Sequence, residues 1–225
     1  MDIIQRASPN VNDRPSGITV DMVILHYTGM KTGRAALDRL CDPEAKVSAH
    51  YLIDEDGTTW QIVEENRRAW HAGFSHWSGT ANINDSSIGI EIVNPGHEFG
   101  YRAFPEEQMT AVEELLAQIL ERHRVSPERV VGHSDIAPAR KQDPGELFDW
   151  KRLADKGLSI WPAEPAAPIK QADARRYLSE IGYDAEAPLA DVVTAFKRRF
   201  MPADVDGALD DKTRAVIAAV HALNS

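Results

Sequence analysis

Three prolines within seven residues, Pro162, Pro165 and Pro168, split this chain into two parts of different character. Proline fixes φ and removes a backbone donor, so neither a helix nor an inner strand runs through such a segment. The stretch Trp161-Pro162-Ala163-Glu164-Pro165-Ala166-Ala167-Pro168 therefore reads as a semi-rigid linker. Strand and helix signals are mixed before it, and every signal after it is helical. The expected division is a first domain over 1–160, a linker over 161–168 and a small helical domain over 169–225.

In the first part, Met22 to Leu25 is an apolar run of strand length that leads into His26. Ser48 to Asp54 and Thr58 to Val63 flank an Asp56-Gly57 turn, a strong hairpin signal. Ile88 to Val93 and Val130-Val131 read as further strands. Helices are predicted near Gly33 to Leu40 and from about Pro105 to His123. In the second of these, Met109, Val112, Leu115, Leu116, Ile119 and Leu120 make one apolar face. The predicted fold class is α/β, a central mixed β-sheet flanked by helices. After the linker, Ile169 to Ile181, Leu189 to Met201 and Asp211 to Leu223 predict a small three-helix bundle.

A chain of 225 residues with a 43% apolar fraction can bury one good core, or one core plus a small second domain. Its net charge of -10 argues against general affinity for nucleic acid or an anionic membrane. The single cysteine, Cys41, excludes an intrachain disulfide and is expected to be a small buried side chain. Met1 to Asn10 shows no apolar h-region after a basic start, and no stretch reaches bilayer-spanning length. The expected location is the cytoplasm, or the periplasm if the N-terminus has been trimmed. The oligomeric state is not readable.

Two histidines stand at strand ends: His26, and His133 after Val130-Val131-Gly132. Asp143 follows in an irregular loop with Pro138, Pro144 and Gly145, which lets the chain fold back. Each has an ordinary reading: a histidine capping a strand, or an Asp-Pro-Gly turn. Together, two imidazoles and a carboxylate are a common way to hold a catalytic zinc, leaving a fourth position for water. Glu91 is the next anomaly. Strand alternation puts Ile88, Ile90 and Ile92 on one face and Gly89, Glu91 and Val93 on the other. That carboxylate either faces solvent, forms an ion pair, or is buried with a raised pKa suited to proton transfer. Lys141 is either a plain surface lysine or an ammonium able to reach a developing oxyanion.

The motifs Leu25-His26-Tyr27-Thr28, Ser48-Ala49-His50-Tyr51, Ala69-Trp70-His71-Ala72-Gly73, Asn84 through Glu91, and Gly132-His133-Ser134-Asp135 through Lys141-Gln142-Asp143-Pro144-Gly145 occur in one order. In these, over about residues 18 to 160, the chain resembles the zinc-dependent N-acetylmuramoyl-L-alanine amidases of the AmpD/AmiD type. That group shares its fold with the peptidoglycan recognition proteins. The resemblance implies that Zn2+ is held by His26, His133 and Asp143. It implies Glu91 as the acid/base residue, Lys141 as its electrostatic partner, and Trp70, His71, Asn94 and Arg140 beside the substrate. His50 matches a family position with a supporting role. His76, His97, His123 and His221 match none and are expected at the surface.

The implied reaction is hydrolysis of the amide between (1,6-anhydro-)N-acetylmuramic acid and L-alanine, in peptidoglycan turnover. Two other readings are a non-catalytic muropeptide-binding module and an amidase acting on polymeric wall. A purely structural zinc would need a fourth ligand, and the sequence offers no obvious one. Thr194 through Phe200 and Val205 through Thr213 resemble the small helical peptidoglycan-binding domain. A generic three-helix bundle packed on the first domain is the alternative.

Overall fold

Met22–Tyr27 and Ser87–Ile92 are the two longest strands, and they lie side by side near the middle of a six-stranded sheet. The computed structural model describes residues 2–224. From one edge to the other the strands are Ile3–Gln5, Thr59–Gln61, Tyr51–Ile53, Ser87–Ile92, Met22–Tyr27 and Val130–Gly132. Every neighbouring pair is parallel except Tyr51–Ile53 with Thr59–Gln61. That pair is the expected hairpin, closed where Gly57 takes φ 83° and Asp54 N donates to Thr58 O at 2.9 Å. The apolar runs fit a mainly parallel sheet that is covered on both faces.

Alternation along the strands sorts the core. Val23, Leu25, Ile88, Ile90, Ile92, Tyr51 and Ile53 face one way and pack against Met109, Val112, Leu115, Leu116 and Ile119. These last belong to the Glu106–His123 helix, which starts after Pro105 with Glu106 and Glu107 in its first turn. Acidic residues suit the positive end of the helix dipole. Met22, Ile24 and Val131 face the other way and join a second cluster. Leu52 and Val93 join a third, beneath Leu37 and Leu40 of the Gly33–Leu40 helix.

The second cluster is where the tail enters. Leu178, Tyr183, Val192, Phe196, Ile217 and Val220 share it with Met22 and Ile24 of the sheet. The tail helices are Ala174–Ile181, Leu189–Phe200 and Asp211–Leu223, the first preceded by a short 3-10 turn at Gln171–Asp173. The proline segment runs along the surface, with Ala166 N donating to Ala215 O of the last tail helix at 3.3 Å. Lys197 is buried and pairs with Asp206 and, at 3.3 Å, with Asp204. That ties the middle helix to the bend at Asp206 and Gly207 that follows it.

Several expectations shift. The first long strand continues through His26 to Tyr27, so His26 stands within it. Strands at Ile3–Gln5, Val11–Asp13 and Arg67–Ala69 appear where no strand was predicted. Cys41 is half-buried rather than fully buried, beside the cluster under the Gly33–Leu40 helix. Among the described residues, no helix is long and apolar enough to cross a membrane.

Candidate active site

His26 and Glu91 are register partners on the two central strands, so their side chains leave the same face of the sheet. Gly132 pairs with Leu25, which brings His133, the next residue along the chain, beside His26. Ser134 N donates to Asp143 O at 2.9 Å and draws the returning loop alongside. The result is a close triangle of donor atoms. His26 Nδ1 is 2.9 Å from His133 Nδ1, and each is 3.0 Å from Asp143 Oδ2. All three residues are buried.

The groups behind the triangle fix its protonation. His133 Nε2 donates to Ala72 O at 3.1 Å. His26 Nε2 donates to His71 Nδ1 at 3.1 Å, His71 Nε2 donates to Ser87 Oγ at 3.3 Å, and Ser87 Oγ donates to Ile83 O at 2.6 Å. Each imidazole thus spends its N–H on the far side and turns a lone pair inward. Two lone pairs and a carboxylate oxygen about 3 Å apart repel each other unless a cation sits among them. Ligand atoms around a tetrahedral ion at about 2.0–2.1 Å stand about 3.3 Å apart, close to this triangle. The donor set fits a metal ion with an open coordination position.

Charge in the site follows from burial and crowding. Burial and the neighbouring His133 lower the His26 pKa to about 4. Burial would raise the Asp143 carboxyl, but the facing imidazoles of His133 and His26 overcome it and hold the group well below the usual carboxylate range. Glu91 goes the other way. Burial, reinforced by the negative charge of Asp143 and opposed by Lys141, raises its pKa well above the ordinary value. Its Oε2 is buried with no hydrogen-bond partner.

These groups line a cleft of about 370 Å³ together with Trp70, Arg140 and Lys141. Trp70 Nε1 donates to Asn12 Oδ1 at 2.5 Å, which fixes the indole at the cleft wall. Arg140 Nη2 donates to Ala72 O and Phe74 O, both at 2.8 Å, and so holds the loop that also receives His133. His71 reaches the cleft wall, but its ring nitrogens are used behind His26, a supporting place that sequence reasoning did not assign to it.

Asn94, expected beside the substrate, stands apart from the cleft and is buried. Its Nδ2 donates to Arg102 O at 2.8 Å and its Oδ1 accepts from Gly96 N at 3.0 Å, so its amide shapes a turn instead of facing substrate. His50 is buried, accepting from Gly89 N at 3.0 Å and donating to Arg67 O at 3.1 Å, as a supporting residue would. His97 is exposed, whereas His76, His123 and His221 are half-buried; His123 bonds to Glu65 and His221 to Glu180.

Sequence reasoning passed over Gly89 and Ser87. A Cβ on Gly89 would lie 2.4 Å from the His71 ring, so only glycine lets that ring rest on the sheet. A glycine inside an apolar strand was the available signal.

Residues 16–146 match the family described as N-acetylmuramoyl-L-alanine amidase (Amidase_2). The chain is 34% identical over 229 residues to N-acetylmuramoyl-L-alanine amidase AmiD of Escherichia coli (strain K12), covering 89% of this chain and 82% of that protein. It is 35% identical over 163 residues to 1,6-anhydro-N-acetylmuramyl-L-alanine amidase AmpD of the same strain, covering 65% and 87%. The crystal structure of AmpDh3 from Pseudomonas aeruginosa superposes with a TM-score of 0.84 at 33% identity, covering 94% of this chain and 95% of that one. The complex of E. coli AmiD with anhydro-N-acetylmuramic acid-L-Ala-D-gamma-Glu-L-Lys superposes with a TM-score of 0.80 at 32% identity, covering 93% and 92%. The AmiD and AmpDh3 matches span nearly the whole chain, tail included.

Proposed function

This chain belongs to the N-acetylmuramoyl-L-alanine amidase family, and we propose that it is a zinc enzyme cleaving the amide between 1,6-anhydro-N-acetylmuramic acid and the L-alanine of a stem peptide. The observation that carries this reading is Glu91, half-buried with its inner oxygen Oε2 unpartnered, beside three converging donors. The AmiD complex, which holds an anhydro-muramyl tripeptide, supports the substrate class.

An amide resists water because its carbonyl is a poor electrophile and its amine a poor leaving group. His26, His133 and Asp143 would hold zinc, which when bound would supply the Lewis acidity that polarises the carbonyl and acidifies water. The chain's own residues do the rest. His71 and Ala72 O hold the two imidazoles in the tautomer that binds metal. Glu91 takes the proton of the attacking water and delivers it to the departing alanine nitrogen. Burial raises its pKa well above the ordinary carboxylate value, a shift in the direction that lets one carboxyl serve first as base and then as acid. The Lys141 ammonium stabilises the negative charge that develops on the carbonyl oxygen. Trp70 and Arg140 flank the substrate.

A second reading, cleavage of polymeric wall, is favoured by one observation: the tail, whose sequence resembles a peptidoglycan-binding domain and which the AmiD and AmpDh3 matches include. A paired digest followed by mass spectrometry separates the two. Zinc-loaded protein is given 1,6-anhydro-muramyl tripeptide or intact sacculi, each with and without chelator. Chelator-sensitive release of tripeptide from the first alone supports a recycling enzyme working in the cytoplasm. Release of stem peptides from sacculi supports a wall-cleaving enzyme with a periplasmic substrate. No cleavage of either overturns the enzyme reading in favour of a muropeptide-binding module.

A further inference from the structure

Asp135 is fully buried, two residues past His133, and both of its oxygens are occupied. Oδ2 accepts from Gly132 N at 2.8 Å, which closes the turn on which His133 stands. The other partners come from the tail. Tyr183, 1% exposed, donates its hydroxyl to Oδ1 at 2.7 Å. Arg199, 3% exposed and near the end of the Leu189–Phe200 helix, pairs with Oδ2 at 3.2 Å. The same guanidinium donates to Val130 O at 3.0 Å and Ser159 Oγ at 3.2 Å, and it lies over the Trp150 ring at 4.4 Å.

Each contact bears on the metal-holding turn. Val130–Gly132 is the edge strand of the sheet, and Arg199 satisfies one of its outward carbonyls, which the sheet cannot. Ser134 N, inside the turn that Asp135 closes, holds Asp143 O. A Cβ on Gly132 would lie 2.8 Å from Pro144 Cδ, so the two segments bearing His133 and Asp143 are in direct contact there. A buried carboxylate deprived of its cation is left uncompensated, and it either draws in water or swings toward another donor. Either change loosens the Gly132–Asp135 bond and with it the direction of His133 Nδ1.

We propose that Arg199 and Tyr183 are positioning residues for the metal site, so that the tail sets the geometry of His133 and Asp143 through Asp135. This rests on reading those residues as metal ligands and is independent of the substrate. It gives the tail a task inside the active site, in addition to any contact with the wall.

The test uses full-length protein, with zinc affinity measured by competition against a chromophoric chelator and site geometry by the absorption bands of the cobalt(II) form. Both are read at a temperature where every variant is folded, and melting temperatures are recorded separately. Arg199→Met should weaken zinc binding by about 10- to 100-fold, the usual scale for groups supporting a metal ligand, and shift the cobalt bands. Tyr183→Phe, which removes one hydroxyl and keeps the ring, should weaken it several-fold. Arg199→Lys keeps the charge but lacks the fork that spans Asp135, Val130 O and Ser159, so it should fall between wild type and Arg199→Met. Wild-type affinity and spectrum in these variants, with only a lowered melting temperature, would mean that the pair merely fastens the tail to the sheet. If Arg199→Met does not fold, Tyr183→Phe and Arg199→Lys decide by the same readouts. An error in the amidase reading would appear separately, as wild-type protein that binds zinc and cleaves nothing.

Discussion

The two faces of the central sheet are built from the same strands and treated in opposite ways. On one, Val23, Leu25, Ile88, Ile90 and Ile92 meet the apolar stripe of a single 18-residue helix, and the contact is closed to water. On the other, Met22 and Ile24 are sealed by the tail and Leu52 by the Gly33–Leu40 helix. Between those two covers lie His26, Glu91 and the cleft. One continuous helix makes a core. Two separate covers leave a gap, and the polar residues of the strands stand in it. In a sheet of parallel strands, the crevice outside their carboxyl ends is where ligands bind, and His26, Glu91 and His133 stand at that end.

If that division of labour is right, changes on the open face should cost chemistry and changes on the sealed face should cost stability. Asp143→Ala removes one of three donors. It should leave the protein without stoichiometric zinc after dialysis, as read by elemental analysis. Activity should fall at least about a hundredfold, because metal catalysis is worth several kcal/mol. Zinc content equal to wild type would break the assignment. Glu91→Gln keeps shape and removes the titrating group. It should retain zinc and lose at least about a hundredfold in kcat. Full turnover in the zinc-loaded variant would leave the open face without its proton carrier. On the sealed face, Leu116→Ala should lower unfolding free energy by about 2–5 kcal/mol in denaturant titrations, the usual range for a buried leucine. The folded fraction should bind zinc as wild type does. A weakened zinc site in that variant would show that the two faces are not independent.

The sealed face was the more legible of the two. Its signal is periodicity, which each segment carries by itself: alternation at Ile88, Ile90 and Ile92, and the stripe from Met109 to Ile119. Strand ends and a Pro-Gly loop made His26, His133 and Asp143 candidates, each with an ordinary reading beside it, and the family resemblance joined them into one set. The groups behind them were not. His71 under His26, Ala72 O under His133 and the Asp135–Arg199 pair are set by where distant segments pack, and no local pattern encodes that. The strands Val11–Asp13 and Arg67–Ala69 escaped notice for the same reason. They are short and mostly polar, and each exists because the other is there to pair with. The family resemblance put Asn94 beside the substrate, yet its amide is spent on Arg102 O and Gly96 N.

The smallest predicted effect separates the two faces by pH alone. An unfolded glutamate titrates near 4.3. Burial and the Asp143 charge raise Glu91 well above that in the folded, metal-free protein. Between the two values the folded state holds more protons than the unfolded one, so stability falls as pH rises through that window, and above the folded value the loss is complete. Glutamine carries no such proton. Metal-free Glu91→Gln should therefore melt above the metal-free parent at pH 7, by at least about 2 °C, the shift that 1 kcal/mol gives in a chain of this size. The gap should close as pH approaches 4, where the parent's carboxyl is protonated in both states. Leu116→Ala, on the sealed face, should show a difference from the parent that does not change with pH. A Glu91→Gln gap that stays constant between pH 4 and 8 would mean that the open face does not strain this carboxylate, and the case for Glu91 as a carboxyl tuned toward neutrality would fail with it.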